Sequence, residues 1–259
     1  MYKAGLVVLG GILIGDTFRL TDYIKKCKEE CDELYAVCDT YNTEVLDMFK
    51  NHSDVPIINY ITRPRYSQCA SWVDFVNFEA HKETRGLYNK YDIIFIPSAT
   101  TLGCPLPAFM FNGDFDIALP PEFIVTQPAT CHTWKNREPL FSVSFPLPLI
   151  SVGKSGERVQ ISNARIEQNR PIKEIAYIIS KAKLMVGVDS GISQMAAQIG
   201  TPTIKCHFGS WEWKCRNVRD CGGADLLNPS TQAIEECIAK ALEIINSGGK
   251  DITALTQGE

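Results

Sequence analysis

Short apolar runs alternate with stretches of helical periodicity along this chain, and the alternation occurs twice. In the first half Ala4–Leu9, Glu33–Cys38, Pro56–Ile61 and Asp92–Pro97 read as strands. Between them Thr17–Cys31, Asn42–Asn51 and Ser71–Tyr88 place apolar residues at helical spacing. Apolar strands separated by amphipathic helices predict a parallel sheet covered on both faces. Thr100–Glu122 is rich in Pro and Gly (Gly103, Pro105, Pro107, Gly113, Pro120, Pro121) and reads as a connection. A second series follows, with strands at Glu122–Thr126, Pro148–Val152, Arg158–Ile161, Lys183–Val188 and Pro202–Cys206. Its helices are Ile172–Lys181, Ile192–Ile199 and Thr231–Asn246. Only about twenty residues separate its first two strands, with Pro139 and Pro146 among them, so the crossover helix there must be short or replaced by loop. The pattern therefore predicts an α/β protein of two Rossmann-like lobes, 1–119 and 120–247, with a polar, flexible tail over 248–259.

Two strand-to-helix turns occupy equivalent places in the two series. The first is Gly10-Gly11-Ile12-Leu13-Ile14-Gly15-Asp16-Thr17, the second Val188-Asp189-Ser190-Gly191-Ile192-Ser193-Gln194. In open parallel sheets ligands bind where strands end and helices begin, because backbone N–H groups and the helix dipole point there. One such turn in each half predicts two lobes facing each other across a shared cleft. Gly10, Gly11 and Gly15 permit close substrate approach, yet the spacing is not the dinucleotide fingerprint G-x-G-x-x-G. Asp16 is either an N-cap or a carboxylate placed for proton transfer. At the second turn, Asp189 or Ser190 can cap the helix. Alternatively, the N–H groups of Ser190 to Ile192 and the Ser190 hydroxyl can bind a diphosphate, with Gly191 allowing its approach.

Composition narrows the classes. The 259 residues are 45% hydrophobic and 22% charged, enough for a full core without crosslinks. With 26 Lys plus Arg against 30 Asp plus Glu, the net charge of -4 disfavours a protein whose main task is gripping nucleic acid. No apolar run has the length of a membrane span, and an apparent core strand starts directly after Met1-Tyr2-Lys3. A soluble cytoplasmic protein without a signal peptide is the expectation. The 10 cysteines contain no C-x-x-C pair, and Cys131-His132 and Cys206-His207 are adjacent residues that seldom reach one ion together. Reduced thiols and no bound metal are expected.

Pro171 to Gly191, then Met195-Ala196-Ala197 and Gly200-Thr201-Pro202-Thr203, resemble the C-terminal lobe of glycosyltransferase family 9, the bacterial heptosyltransferases of GT-B fold. The shared pattern is a helix, a strand ending in Asp-(Thr/Ser)-Gly, a small-residue helix, Gly-Thr-Pro and another strand. Gly15-Asp16 is similar to the family's opening Gly-Asp. Phe123 to Ala129 with Trp134-Lys135 resembles the start of its second lobe. The likeness is dense only over Pro171–Gly209, and two departures stand out: Gln194 replaces the family's His, and the chain is shorter than typical members.

The resemblance implies that Asp16 is the general base and that Lys135 neutralises the leaving phosphate, though such a lysine also suits a solvated surface. It places Glu157 near the nucleoside, where a turn glutamate is the plain alternative. Thr126 and Thr130 are hydroxyl contacts to the donor, and Asp189 shapes the loop or meets donor hydroxyls. Ile192 and Gln194 lie in the first turns of the donor helix, where Gln194 can hydrogen-bond but not carry charge. Arg63, Arg65 and Trp72 are weaker acceptor candidates. The aromatic-basic segment His207, Trp211, Trp213, Lys214 and Arg216 offers a stacking platform, or core and surface residues.

The expected activity is an inverting, metal-independent sugar transfer from a nucleotide-diphosphate donor to an acceptor hydroxyl, with no cofactor beyond that co-substrate. No Asp-x-Asp pair ends a strand, since Asp114-Phe115-Asp116 lies in the connection. The acceptor is a glycan, a lipid-linked molecule or a modified nucleobase, without membrane anchoring of the enzyme. Rival readings are transfer to a nucleic-acid base, a nucleotide-sugar hydrolase or epimerase, and a catalytically silent sugar-nucleotide-binding protein.

Overall fold

The computed structural model describes residues 2–8, 21–39, 59–63, 92–95, 115–129, 138–154, 157–208 and 217–257. The chain divides into two compact units, Met1–Cys104 and Pro105–Glu259. The division falls inside the Pro- and Gly-rich connection.

The first unit holds a parallel sheet of β1 (Ala4–Val8), β2 (Glu33–Asp39), β3 (Asn59–Arg63) and β4 (Ile93–Phe95), in the order β3-β2-β1-β4. Helix α1 (Thr21–Glu29) buries Ile24 and Cys27. Two acids pin the entry to β1: Lys3 N–H donates to Asp32 Oδ2 at 2.7 Å, and Ala4 N–H donates to Asp92 Oδ2 at 2.8 Å. Strand order reverses between β1 and β4. The Gly10–Thr17 turn and the helices expected at Asn42–Asn51 and Ser71–Tyr88 lie outside the described residues.

The second unit holds six parallel strands in the order β10-β9-β8-β5-β6-β7. They are β5 (Ile124–Gln127), β6 (Leu149–Gly153), β7 (Ala164–Gln168), β8 (Leu184–Val188), β9 (Thr203–His207) and β10 (Ala224–Leu227). Its helices are α2 (Glu138–Phe141), α3 (Ile172–Lys181), α4 (Gly191–Ile199), α5 (Asn217–Asp220) and α6 (Thr231–Asn246). Between β5 and β6 the described helix is the four-residue α2, as the prolines there require. Leu184, Val186 and Val188 of β8 and Ile204 and Cys206 of β9 share one core with Ile234, Cys237, Ile238 and Ala241 of α6. Side chains alternate along a strand, so Gly187, Lys205 and His207 project to the opposite face, where α4 packs against β8 and β9.

The Gly-Thr-Pro signature has a local cause. Gly200 ends α4 at φ 88, a left-handed conformation that a Cβ disfavours. Thr201 N–H then donates to Ala196 O at 3.1 Å, and its hydroxyl donates to Ile179 O of α3 at 2.9 Å. Helix α4 is thereby tied to α3 before β9 begins.

Three expectations require correction. The strand expected at Arg158–Ile161 lies at Ala164–Gln168 instead. Val159 and Ile161 are buried at alternate positions and imitate a strand, whereas the real one is an edge strand, mostly exposed, without apolar alternation. Strand β10 gave no signal because its run is short and carries Asp225. The tail from Gly248 is not loose. Ile252 is fully buried, and its N–H donates to Gly222 O at 2.8 Å. Gln257 forms a parallel bridge with Leu226 at the edge of β10.

Among the described residues Cys27, Cys31, Cys206, Cys221 and Cys237 form no disulfide. Burial pushes the Cys237 thiol up to about 11. Cys206 points into the core while His207 points away from it, which separates that Cys-His pair.

Candidate functional site

In the second unit the strand order reverses between β5 and β8, which pair directly. At such a reversal the connections leave in opposite directions and open a crevice beyond the strand ends. Here those ends are Thr126 and Gln127 on β5 and the loop Asp189-Ser190 after β8.

Ser190 is the N-cap of α4. Its backbone is extended, and its hydroxyl accepts from Ser193 N–H at 3.2 Å. The same hydroxyl donates to Gln127 Oε1 at 2.5 Å, clamping the end of β5 to the loop after β8. A hydroxyl has one proton, so this one is committed to Gln127. Gly191 and Ile192, both half-buried, have no intrahelical acceptor for their N–H groups, as in the first turn of any α-helix. Such amides, together with the helix dipole, can accept an anion.

Gly187 explains how the helix comes so close. A Cβ there would stand 2.9 Å from Ser193 Oγ and 3.2 Å from the carbonyl oxygen of Gln127. Ser193 Oγ donates to Val188 O at 2.7 Å, fixing the first turn of α4 onto β8.

Thr126 is fully buried, and its Oγ1 has no hydrogen-bond partner among the described residues. Glu157 is half-buried beyond the end of β6. Its Oε2 accepts from Lys154 N–H at 3.0 Å, closing the turn that places it on the same sheet edge. Gln194 is buried to 8% exposure beneath the helix start.

Beside the loop after β8 lies a charged cluster assembled by strand register. Lys205 pairs with Gly187 on one side and Asp225 on the other, while Leu227 pairs with His207. The fully buried Lys205 places Nζ 3.5 Å from Asp189 Oδ1 and 3.4 Å from Asp225 Oδ1. His207 lies between the same carboxylates, Nδ1 3.8 Å from Asp189 Oδ2 and Nε2 3.3 Å from Asp225 Oδ1. Arg219 of α5 places Nε 3.3 Å from Asp225 Oδ2. Burial alone would raise the Asp225 carboxyl; the His207 hydrogen bond and the Lys205 charge outweigh it and hold the group below its ordinary value.

The second unit thus gathers Thr126, Glu157, Asp189, Ser190, Gly191, Ile192 and Gln194 along one end of its sheet, with His207 in the adjoining charge cluster. Arg63 ends β3 in the first unit. Asp16, Gly10, Gly11, Gly15, Arg65, Trp72, Thr130, Lys135, Trp211, Trp213, Lys214 and Arg216 lie outside the described residues. The sequence reading missed Gln127, Gly187, Ser193, Lys205, Asp225 and Arg219. For Lys205 a signal existed: a lysine at the centre of an apolar strand conflicts with a sheet covered on both faces.

Residues 169–210 match glycosyltransferase family 9 (heptosyltransferase). They run from the end of β7 past β9 and contain the Asp189-Ser190-Gly191 loop. Over this segment the chain is similar to the heptosyltransferase-like glycosyltransferases. Its fold is similar to that of E. coli heptosyltransferase WaaC with ADP, at TM-score 0.55 and 12% identity, covering 96% of this chain and 99% of that one. The family 9 glycosyltransferase of Veillonella parvula DSM 2008 gives TM-score 0.55 and 12% identity, with coverage of 97% and 93%. The iron-containing dodecameric glycosyltransferase TibC from enterotoxigenic E. coli H10407 gives 0.53 and 11%, covering 95% of this chain and 77% of that one. The comparison with curated proteins gave no match. Among the described residues no helix is long and apolar enough to cross a membrane.

Proposed function

We propose that this glycosyltransferase moves a sugar from a nucleotide-diphosphate donor to an acceptor hydroxyl, with inversion and without a divalent cation. The observation that carries the reading is the Ser190-capped N-terminus of α4 at the β5–β8 reversal, within the segment that matches family 9. The donor diphosphate lies against the N–H groups of Gly191 and Ile192, and the nucleoside extends toward the turn that holds Glu157. Because the Ser190 proton is engaged by Gln127, Ser190 serves as cap and clamp.

The acceptor oxygen attacks the anomeric carbon on the side opposite the leaving phosphate. The new C–O bond forms as the bond to the phosphate oxygen breaks, and the hydroxyl proton passes to the Asp16 carboxylate. The nucleoside diphosphate leaves with the bonding electron pair, and Lys135 with the α4 amides stabilises its charge. Gly10, Gly11 and Gly15 give the acceptor room, with Arg63, Arg65, Trp72, Trp211 and Trp213 as its contacts. The free thiols among the described residues support a reducing compartment, the cytoplasm, as the site of reaction.

Calorimetric titration with ADP, GDP, UDP and CDP tests the reading. At least one should bind, Lys135→Ala should weaken it without unfolding the protein, and transfer should persist in excess chelator. Absence of binding by all four would overturn the donor assignment. Activity abolished by chelator and restored by a divalent cation would overturn the metal-free leaving-group stabilisation.

A further inference from the structure

The α4 N-terminus has a carboxylate beside it. Asp189 immediately precedes the cap, and its side chain is 41% exposed. An uncompensated negative charge there would oppose a diphosphate at the helix start. The neighbouring strand supplies the compensation. Lys205 lies between the two carboxylates, 3.5 Å from Asp189 and 3.4 Å from Asp225, and Arg219 adds a second cation 3.3 Å from Asp225.

Burying an ammonium is costly unless it is paired, and an aliphatic side chain of similar volume would fill the same space more cheaply. Register puts Lys205 opposite Gly187, which has no side chain, so the lysine can pass alongside β8 to reach the Asp189 carboxylate. A hydrogen bond from Asp189 N–H to Cys206 O at 3.2 Å holds the loop backbone to the same strand.

We propose that Lys205 is a positioning residue for donor binding: from β9 it holds the Asp189 carboxylate and cancels its charge, leaving the α4 amides open to a diphosphate. The inference rests on the diphosphate reading above and adds to it a residue outside the donor loop. His207 completes the hold on Asp189 from the rim of the cluster instead of contacting the acceptor.

The test is a charge-resolved double-mutant cycle. Lys205→Met, Asp189→Asn and the double variant are titrated with ADP and UDP, and in parallel with adenosine and uridine. Lys205→Met should weaken diphosphate binding about tenfold, the scale of one unit charge acting over several ångströms at a half-exposed edge. Nucleoside affinity should stay within about twofold. Adding Asp189→Asn should restore most of the lost diphosphate affinity. Equal losses for nucleoside and diphosphate, or no restoration, would show a merely structural lysine and overturn the proposal. If Lys205→Met does not fold, Asp189→Asn alone decides. Diphosphate affinity equal to or above that of the unmodified protein supports the proposal, and a selective loss makes Asp189 a direct donor ligand and overturns it. Wild-type binding left unchanged by Lys205→Met refutes this inference alone, whereas a wild type that binds neither diphosphate removes the donor reading as well.

Discussion

Gly187→Ala is the sharpest test of how the loop after β8 is built. The new Cβ would stand 2.9 Å from Met185 Cε, 2.9 Å from Ser193 Oγ and 3.2 Å from Gln127 O. Met185 Cε ends a flexible chain and can swing aside. Gln127 O belongs to the backbone of β5 and cannot. Ser193 Oγ can turn away only by giving up its 2.7 Å hydrogen bond to Val188 O, a loss of ~1 kcal/mol. Overpacking adds ~1–3 kcal/mol, while alanine recovers ~0.5–1 kcal/mol of the glycine's unfolded-state entropy. The net loss should be ~1–3.5 kcal/mol, lowering the melting temperature of the second unit by roughly 2–14 °C for its size. Urea denaturation measures the loss, and a Ser193→Ala background should relieve at least half of it by removing the clashing oxygen. Gly200→Ala is the contrast, because nothing lies within 4 Å of its Cβ and its φ is +88. Its cost of ~1–2 kcal/mol comes from the backbone alone and should not depend on Ser193. A Gly187→Ala loss below ~0.5 kcal/mol, or one unchanged by Ser193→Ala, would refute the close-approach argument.

Asp225 should make stability depend on pH. Its folded value is lowered, so its contribution is present above the unfolded value of ~3.9 and is lost as pH falls through the folded one. The stability gap between wild type and Asp225→Asn should therefore be widest near neutrality and shrink as pH drops below ~4; a gap that persists unchanged at acid pH contradicts the assignment. Truncation after Gly249 removes the buried Ile252 and the bridge from Gln257 to β10, and should cost ~2–3 kcal/mol by thermal unfolding. An unaltered melting temperature would mean that the tail contributes nothing to the sheet edge. Asp16→Asn should retain fold and donor affinity while turnover falls ~10²–10⁴-fold; near-normal turnover would leave Asp16 as a helix cap and require another base.

The order of strands and helices was legible in the chain because buried parallel strands must be apolar and their covering helices amphipathic. Leu184–Val188 and Ile172–Lys181 carry that requirement in every residue. The turn after β8 was legible for a related reason: Asp-Ser-Gly after an apolar strand supplies a helix cap, and Ser190 caps α4. Local patterning failed where burial did not follow the pleat. Val159 and Ile161 alternate without being a strand, Ala164–Gln168 is a strand without alternating, and the tail hides a single buried isoleucine among polar neighbours. The charge cluster is the clearest case of what tertiary structure alone decides. Asp189, Lys205, His207, Arg219 and Asp225 come from two strands, a loop and a short helix, and apart from Lys205 and His207 on one face of β9 no local spacing relates them. Their meeting depends on register: shifting β9 by one residue would turn Lys205 into the apolar core and Cys206 toward α4. Sequence determines which residues must be buried, because each carries its own cost of leaving water. Which buried charges offset one another is a property of strand pairing, settled only when separate segments are brought side by side.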